Sequence, residues 1–190
     1  MLMSLSSLRL RKFLFSLTVF FGFASVCCFA QPIFFAVKST PYDRQMARVR
    51  PVLTRVASHP TGGIPIATVN EWMDQLREIP YRYSRQWQTP SEVNTARAAD
   101  CKGKAVTLYK IMQAMGATNV RLVIGRRRVH DWRTHAWLQW ETADGNYLLD
   151  PTFQRMAARD MQDRFSYVPL YGYEGERKYR AFDVTLITQN

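Results

Sequence analysis

Cysteine is scarce in this chain, with three among 190 residues, and two of those, Cys27 and Cys28, sit side by side near the start. Histidine is equally rare, at positions 59, 130 and 135. Acidic residues number 15 against 26 basic ones, and from Phe13 to Val37 there is no charged residue at all. No internal repeat, low-complexity tract or nucleic-acid-binding signature is visible. Each shortage closes off a class of protein. If the first 30 residues are removed, Cys101 is the only thiol and no internal disulfide can form. The missing nucleic-acid signature, together with the export argued next, removes nucleic acid as the partner behind the basic charge.

The uncharged run has two readings. Arg9, Arg11 and Lys12 precede it as a positive n-region, and Cys28-Phe29-Ala30 ends on a small residue. That is a signal-peptide pattern, with Gln31 as the mature N-terminus and an exported, periplasmic or secreted product. The rival is an uncleaved anchor through residues 13–37, long enough to span a bilayer. A lipoprotein site at Cys27 fits poorly, because Val26 stands where a small residue belongs. Removing residues 1–30 takes three positive charges with it, so the formal +11 falls to +8. The remaining 160 residues suffice for one domain with a real core.

Residues 31–66 are punctuated by Pro41, Pro51, Pro60, Gly62, Gly63 and Pro65. They are expected to lie irregularly over the domain, with a short helix near Asp43–Val49. From residue 67 to 190 the pattern becomes regular. Val69, Trp72, Met73 and Leu76 line one face of a helix that Pro80 ends. Tyr81–Ser84 reads as extended. Thr89 to Glu92 matches a capping box with Pro90 at the first helical position. Asp100 is an N-cap for a helix carrying Leu108, Tyr109, Met112 and Met115, with Gly116 as its C-terminal cap. Strands are expected at Val120–Ile124, Thr134–Trp140 and Asn146–Leu149, with Arg177–Phe182 as the last. Tyr167–Tyr173 reads as an aromatic, turn-rich segment packed against the sheet. Helices followed by strands indicate an α+β fold with an antiparallel sheet.

Cys101 falls in the first turn of its helix. Free backbone N–H groups, the positive helix end, Lys102 and Lys104 all favour a thiolate there. A nucleophilic cysteine needs a base, and the base needs an orienting group. His59 lies in the proline-rich segment and His130 in the basic loop, so both read as surface residues. His135 heads a strand, where an imidazole can be held fixed. Asp150 closes the apolar run Tyr147-Leu148-Leu149, as an orienting carboxylate or as a cap for the turn at Pro151-Thr152. For His135 to face Asp150 squarely, the hairpin must reverse about Thr142-Ala143, through a loop near Glu141–Asp144 with Gly145 opening the second strand. A two-residue turn at Asp144-Gly145 would leave them four residues out of register, about 13 Å.

Cys101 after Asp100, then His135-Ala136-Trp137, then Leu149-Asp150-Pro151-Thr152, resembles the transglutaminase-like superfamily. Trp87-Gln88-Thr89-Pro90-Ser91-Glu92 and the exported context resemble its bacterial transglutaminase-like cysteine proteinases. The resemblance covers about Trp87 to Thr152. It implies a papain-like core, with the Cys helix packed on a sheet that bears His and Asp, and a catalytic triad of Cys101, His135 and Asp150. The reaction implied is acyl transfer through a thioester, giving a protease or amidase if water is the acceptor and a transglutaminase if a lysine amine is. A non-catalytic peptide or cell-wall binding module on the same fold is the alternative from another class. The backbone N–H of Cys101 would be one oxyanion donor. Trp87 is either a second, through its indole, or a core aromatic. Arg126, Arg127, Arg128 and Arg133 either flank the cleft and draw in acidic protein or peptide substrates, or form a solvated loop. No cofactor is implied. Members of that branch usually carry acidic residues directly after the cysteine, and some depend on calcium. This chain has Lys102 and Gly103 there, so no metal site is expected beside the thiol.

Overall fold

The computed structural model describes residues 32–55, 63–128, 130–159 and 166–182. The expected leader up to residue 31, and His59, lie outside them. The elements run β1 (Ile33–Ala36), α1 (Asp43–Met46), α2 (Arg50–Leu53), α3 (Ile66–Glu78), α4 (Pro90–Ala96), α5 (Cys101–Ala114), β2 (Val120–Arg126), β3 (His135–Thr142), β4 (Gly145–Leu149), β5 (Ala158–Arg159), β6 (Val168–Glu174) and β7 (Arg177–Phe182). The strands form one sheet in the order β1-β7-β6-β2-β3-β4-β5. Every neighbouring pair is antiparallel. This is the α+β class expected from the order of helical and strand patterns.

Alternation along the strands separates two cores. Val120, Leu122, Ile124, Ala136, Leu138, Trp140 and Leu149 belong to the large one, with Leu108, Tyr109 and Met112 of α5 and Val69 and Met73 of α3. Val123, Trp137 and Leu148 point the other way and pack with Tyr167. Leu53 caps the large core, its carbonyl accepting from Tyr109 Oη at 3.4 Å and Gln113 Nε2 at 3.1 Å.

Three expectations are corrected. The segment expected to be irregular supplies an edge strand, since Ile33–Ala36 pairs with β7 from Phe182 to Tyr179. Those residues were read as the end of an apolar run, and an anchor through residues 13–37 is therefore excluded over its last part. No helix among the described residues is long and apolar enough to cross a membrane. The aromatic segment before residue 174 is not a turn but β6, set between β7 and β2. Pro169 is tolerated there because the β2–β6 register shifts between Ile124 and Gly125. Gly125 is needed at that crossing, where a Cβ would fall 2.2 Å from the Val168 carbonyl oxygen.

The third correction is the hairpin between β3 and β4. Thr142 pairs with Gly145 and Leu138 with Leu149, so the turn is Ala143-Asp144, one residue from either position weighed above. Thr142 Oγ1 holds it, accepting from Asp144 N at 3.2 Å and donating to the Gly145 carbonyl at 2.9 Å. Gly145 opens β4 at φ 126°, which suits glycine. Extending this register puts Asp150 opposite Trp137, and His135 two residues away along the diagonal. Diagonal neighbours stand about 7–8 Å apart at the backbone, a gap that two side chains can bridge.

Candidate active site

Asp100 starts α5 as expected. Its carboxylate accepts from Lys102 N at 3.0 Å and Gly103 N at 3.2 Å, so two of the open N–H groups of the first turn are satisfied. It also accepts from Ser84 N at 3.1 Å, which ties the Tyr81–Trp87 loop to the helix start. The Lys102 ammonium bonds the same carboxylate and donates to the Ser84 carbonyl at 2.9 Å. Its charge is thus spent on Asp100 rather than on the thiol. Lys104 does not serve Cys101 either: it is buried, and its Nζ donates to the Arg77 carbonyl in the last turn of α3 at 3.1 Å. Burial, followed by the nearby Arg77 charge, lowers its pKa.

α4 fixes the other side of the cysteine. Thr89 Oγ1 accepts from Glu92 N and the Glu92 side chain accepts from Thr89 N, the capping box read from the sequence. A Cβ on Gly103 would stand 3.0 Å from Val93 Cγ2 and Gln88 Oε1. Glycine at that position lets α4 lie close against the first turn of α5.

At the head of β3, His135 is 8% exposed and its Nε2 lies 2.8 Å from Asp150 Oδ2. Cys101 lies near enough on the other side to act on the imidazole, and both residues line the same groove. With Nε2 taken by the carboxylate, Nδ1 is the nitrogen left for the sulfur. Cys101, His135 and Asp150 therefore meet in space, although 49 residues separate the first from the last. Asp150 is 0% exposed and also accepts from Tyr167 Oη at 2.6 Å and Thr152 N at 2.9 Å. Asp150 thus both caps the turn after Pro151 and bonds the imidazole. Aromatic rings enclose the histidine: Trp137 stacks at 6.1 Å between centroids, with Phe153 at 5.2 Å and Tyr167 at 6.3 Å.

The electrostatics follow from this packing. Burial works against the charged imidazole, but its hydrogen bonds to Asp150 and Cys101, and their charges, outweigh burial and raise the His135 pKa to about 9. For Asp150, burial pushes upward, while the His135 hydrogen bond and charge, Tyr167 and the Thr152 N–H hold it below the usual carboxylate value. At neutral pH the pair is imidazolium and carboxylate.

Above Cys101 and His135 lies a groove of about 610 Å³. Tyr81, Tyr83, Arg85 and Trp87 come from the loop before α4, and Trp132, Arg133 and Thr134 from the loop before β3. Trp87 is 2% exposed in the large core, the second of its two readings, and it also lines the groove. Its buried indole Nε1 has no hydrogen-bond partner. Of the four arginines expected beside the cleft, only Arg133 lines it. Arg127 instead lies 3.9 Å over the Phe153 ring, and Arg126 and Arg128 are exposed elsewhere. His130 is exposed, as expected. Tyr167 and Arg85 were not picked out beforehand. No sequence pattern links Tyr167 to Asp150, whereas Arg85 could have been suspected from its place two residues before Trp87.

No group of three or more metal-ligating side chains occurs among the described residues. No family model matches the sequence, and no curated protein matches it. Solved structures do match. Legionella pneumophila LapG aligns with a TM-score of 0.56 at 13% identity, over 80% of this chain and 86% of that one. Its calcium-bound form aligns at 0.54 and 14% identity, over 75% of this chain and 81% of that one. The EGTA-treated form aligns at 0.54 and 12%, over 78% and 86%. At such identities the likeness is one of fold. That likeness of fold spans 75–80% of this chain.

Proposed function

We propose that this protein is a cysteine hydrolase that cleaves peptide or amide bonds through Cys101, His135 and Asp150. The observation that carries the reading is the buried imidazole, sharing a groove with the cysteine and hydrogen-bonded on its other side to a carboxylate with 0% exposure. The cysteine-protease-like fold supports it.

With its proton already held on His135 Nδ1, the Cys101 sulfur attacks as the thiolate on the carbonyl carbon of the substrate amide. The carbonyl oxygen becomes an oxyanion. Cys101 N–H, at the first position of α5, has no acceptor within its own helix and donates to it. The Trp87 indole N–H is the second donor, since it lines the groove and is unpartnered. Collapse of the intermediate breaks the C–N bond, and His135 gives its proton to the departing amine. A water then loses a proton to His135 and attacks the thioester carbonyl, and the C–S bond breaks to release the acid and restore the thiolate beside the imidazolium. Asp150 keeps the ring oriented and stabilises its charge throughout. Residues 1–30 serve as a signal peptide, and the substrate is a protein or peptide met after export.

Cys101→Ala should abolish cleavage of proteome-derived peptides while leaving the thermal transition nearly unchanged. Undiminished cleavage by that variant would discard the proposal. Adding an amine donor to the same assay tests the acceptor, because hydrolysis predicts free acid as the main product and transamidation predicts the amine adduct.

A further inference from the structure

The lining of the groove carries cations and no carboxylate. Arg85 and Arg133 come from two different loops, with Cys101 and His135 in the same groove. Lys102 lines it too, but its ammonium is held by Asp100 and the Ser84 carbonyl. Elsewhere arginines find acids: Arg48 pairs with Glu92, while Arg121 and Arg177 pair with Glu174. Arg85 and Arg133 have no ion pair among the described residues. Arg133 is backed by Trp132, 4.7 Å below its guanidinium, and that indole is 80% exposed. Arg133 acts within reach of the reacting centre: the Tyr81 phenol is raised chiefly by burial, then by Cys101 and Asp100, and is lowered by Arg133. Unpaired guanidiniums, and in Arg133's case one backed by an aromatic ring, suit planar carboxylates, which they bind through two parallel hydrogen bonds.

Resting on the hydrolase reading above, we propose that Arg85 and Arg133 select peptides bearing Asp or Glu side chains close to the bond cleaved at Cys101. The two loops would grip the substrate's carboxylates, and Tyr81, Tyr83 and Trp132 would offer ring faces to the intervening chain. Such a wall also raises the local concentration of acidic substrates, an effect that salt weakens.

Two alkylating agents of similar size test the wall without knowledge of the substrate. Iodoacetate carries a negative charge and iodoacetamide none, and both react at Cys101. In the double variant Arg85→Gln/Arg133→Gln the iodoacetate-to-iodoacetamide rate ratio, which cancels any change in thiolate fraction common to both reagents, should fall about three- to tenfold, with the melting temperature little changed. A ratio that stays within about twofold of wild type overturns the proposal. Cleavage-site mapping on a proteome-derived peptide library then reads specificity. Enrichment of Asp and Glu near the cut, lost in the double variant, supports selection by the two arginines. Cuts without acidic enrichment overturn it and leave the hydrolase reading intact. A wild-type protein that shows the iodoacetate bias but cuts no peptide overturns the hydrolase reading, while the bias itself supports the arginines as an anion-selecting pair.

Discussion

Two aspartates with 0% exposure, Asp100 and Asp150, stand on either side of Cys101 and His135, and they show how similar burial serves different ends. Asp100 accepts from three backbone N–H groups, on Ser84, Lys102 and Gly103, plus the Lys102 ammonium. Asp150 accepts from one backbone N–H, on Thr152, and from two side chains that can themselves titrate, His135 and Tyr167. A carboxylate bound mainly to backbone builds the chain locally, starting a helix and pinning a loop. A carboxylate bound mainly to side chains governs their charge and direction. Both cost desolvation, and both recover it by filling their acceptor sites.

The comparison breaks most sharply at Asp150. Asp150→Ala should lower kcat/KM by roughly 10³-fold or more, the scale seen when an orienting carboxylate is lost. Asp100→Ala should act chiefly on stability, by about 1–2 kcal/mol for the lost cap, with a smaller effect on rate. Paired denaturation curves and kinetics on the two variants check this, and equal activity losses would erase the distinction.

Next in size is pH. His135 carries its proton up to about 9, so cleavage should fall as pH climbs through that value and the leaving amine loses its acid. In Asp150→Ala the same limb should move toward the ordinary histidine value of about 6.5. Stability follows with defined signs. The raised His135 pKa contributes stability fully below about 6.5, and this is lost as pH rises toward about 9. The lowered Asp150 pKa contributes above about 3.8, and this is lost as pH falls through its folded value. Thermal unfolding from pH 3 to 10 should therefore show wild type losing stability toward both ends, and Asp150→Ala losing less.

Smaller effects sharpen the contrast. Tyr167→Phe removes a 2.6 Å bond to Asp150 and should cost about 1–2 kcal/mol, with the alkaline limb displaced slightly upward because the carboxylate becomes more basic. Lys102→Met removes a partner of the buried Asp100 carboxylate rather than of the thiol, so it should cost about 1–3 kcal/mol of stability, measured by the same melts, with little effect on rate. Trp87→Phe keeps the ring volume and deletes the indole N–H. If that group is an oxyanion donor, kcat should fall about 10²–10³-fold with the melting temperature little changed.

The local signals were the legible ones. Asp100, the Thr89–Glu92 box, Pro90 and Gly116 act through bonds spanning a few residues, so their meaning is written nearby in the chain. Arg177–Phe182 could likewise be read as a strand from its own residues. What escaped depends on distant partners. Ile33–Ala36 looks like irregular chain, or the tail of an apolar anchor, until β7 is there to receive it. Val168–Glu174 looks like a turn until a register shift in β2 makes room for Pro169. The turn at Ala143-Asp144 was misplaced by one residue, because Thr142 Oγ1 closes it in a way no hydrophobic pattern records. The meeting of His135 with Asp150 survived that error because side chains reach diagonally across a ladder, which squarely facing pairs do not reveal. Tyr167 stayed hidden for a related reason. Its hydroxyl gains meaning only when β6 lies in the middle of the sheet.

The most direct test is the rate at which iodoacetamide modifies Cys101 at pH 7 in the folded wild type and in His135→Ala. A histidine coupled to the sulfur predicts labelling at least about tenfold slower in the variant, with both proteins equally well folded. Equal rates would mean that the imidazole does not act on the thiol, which would contradict the account at its centre.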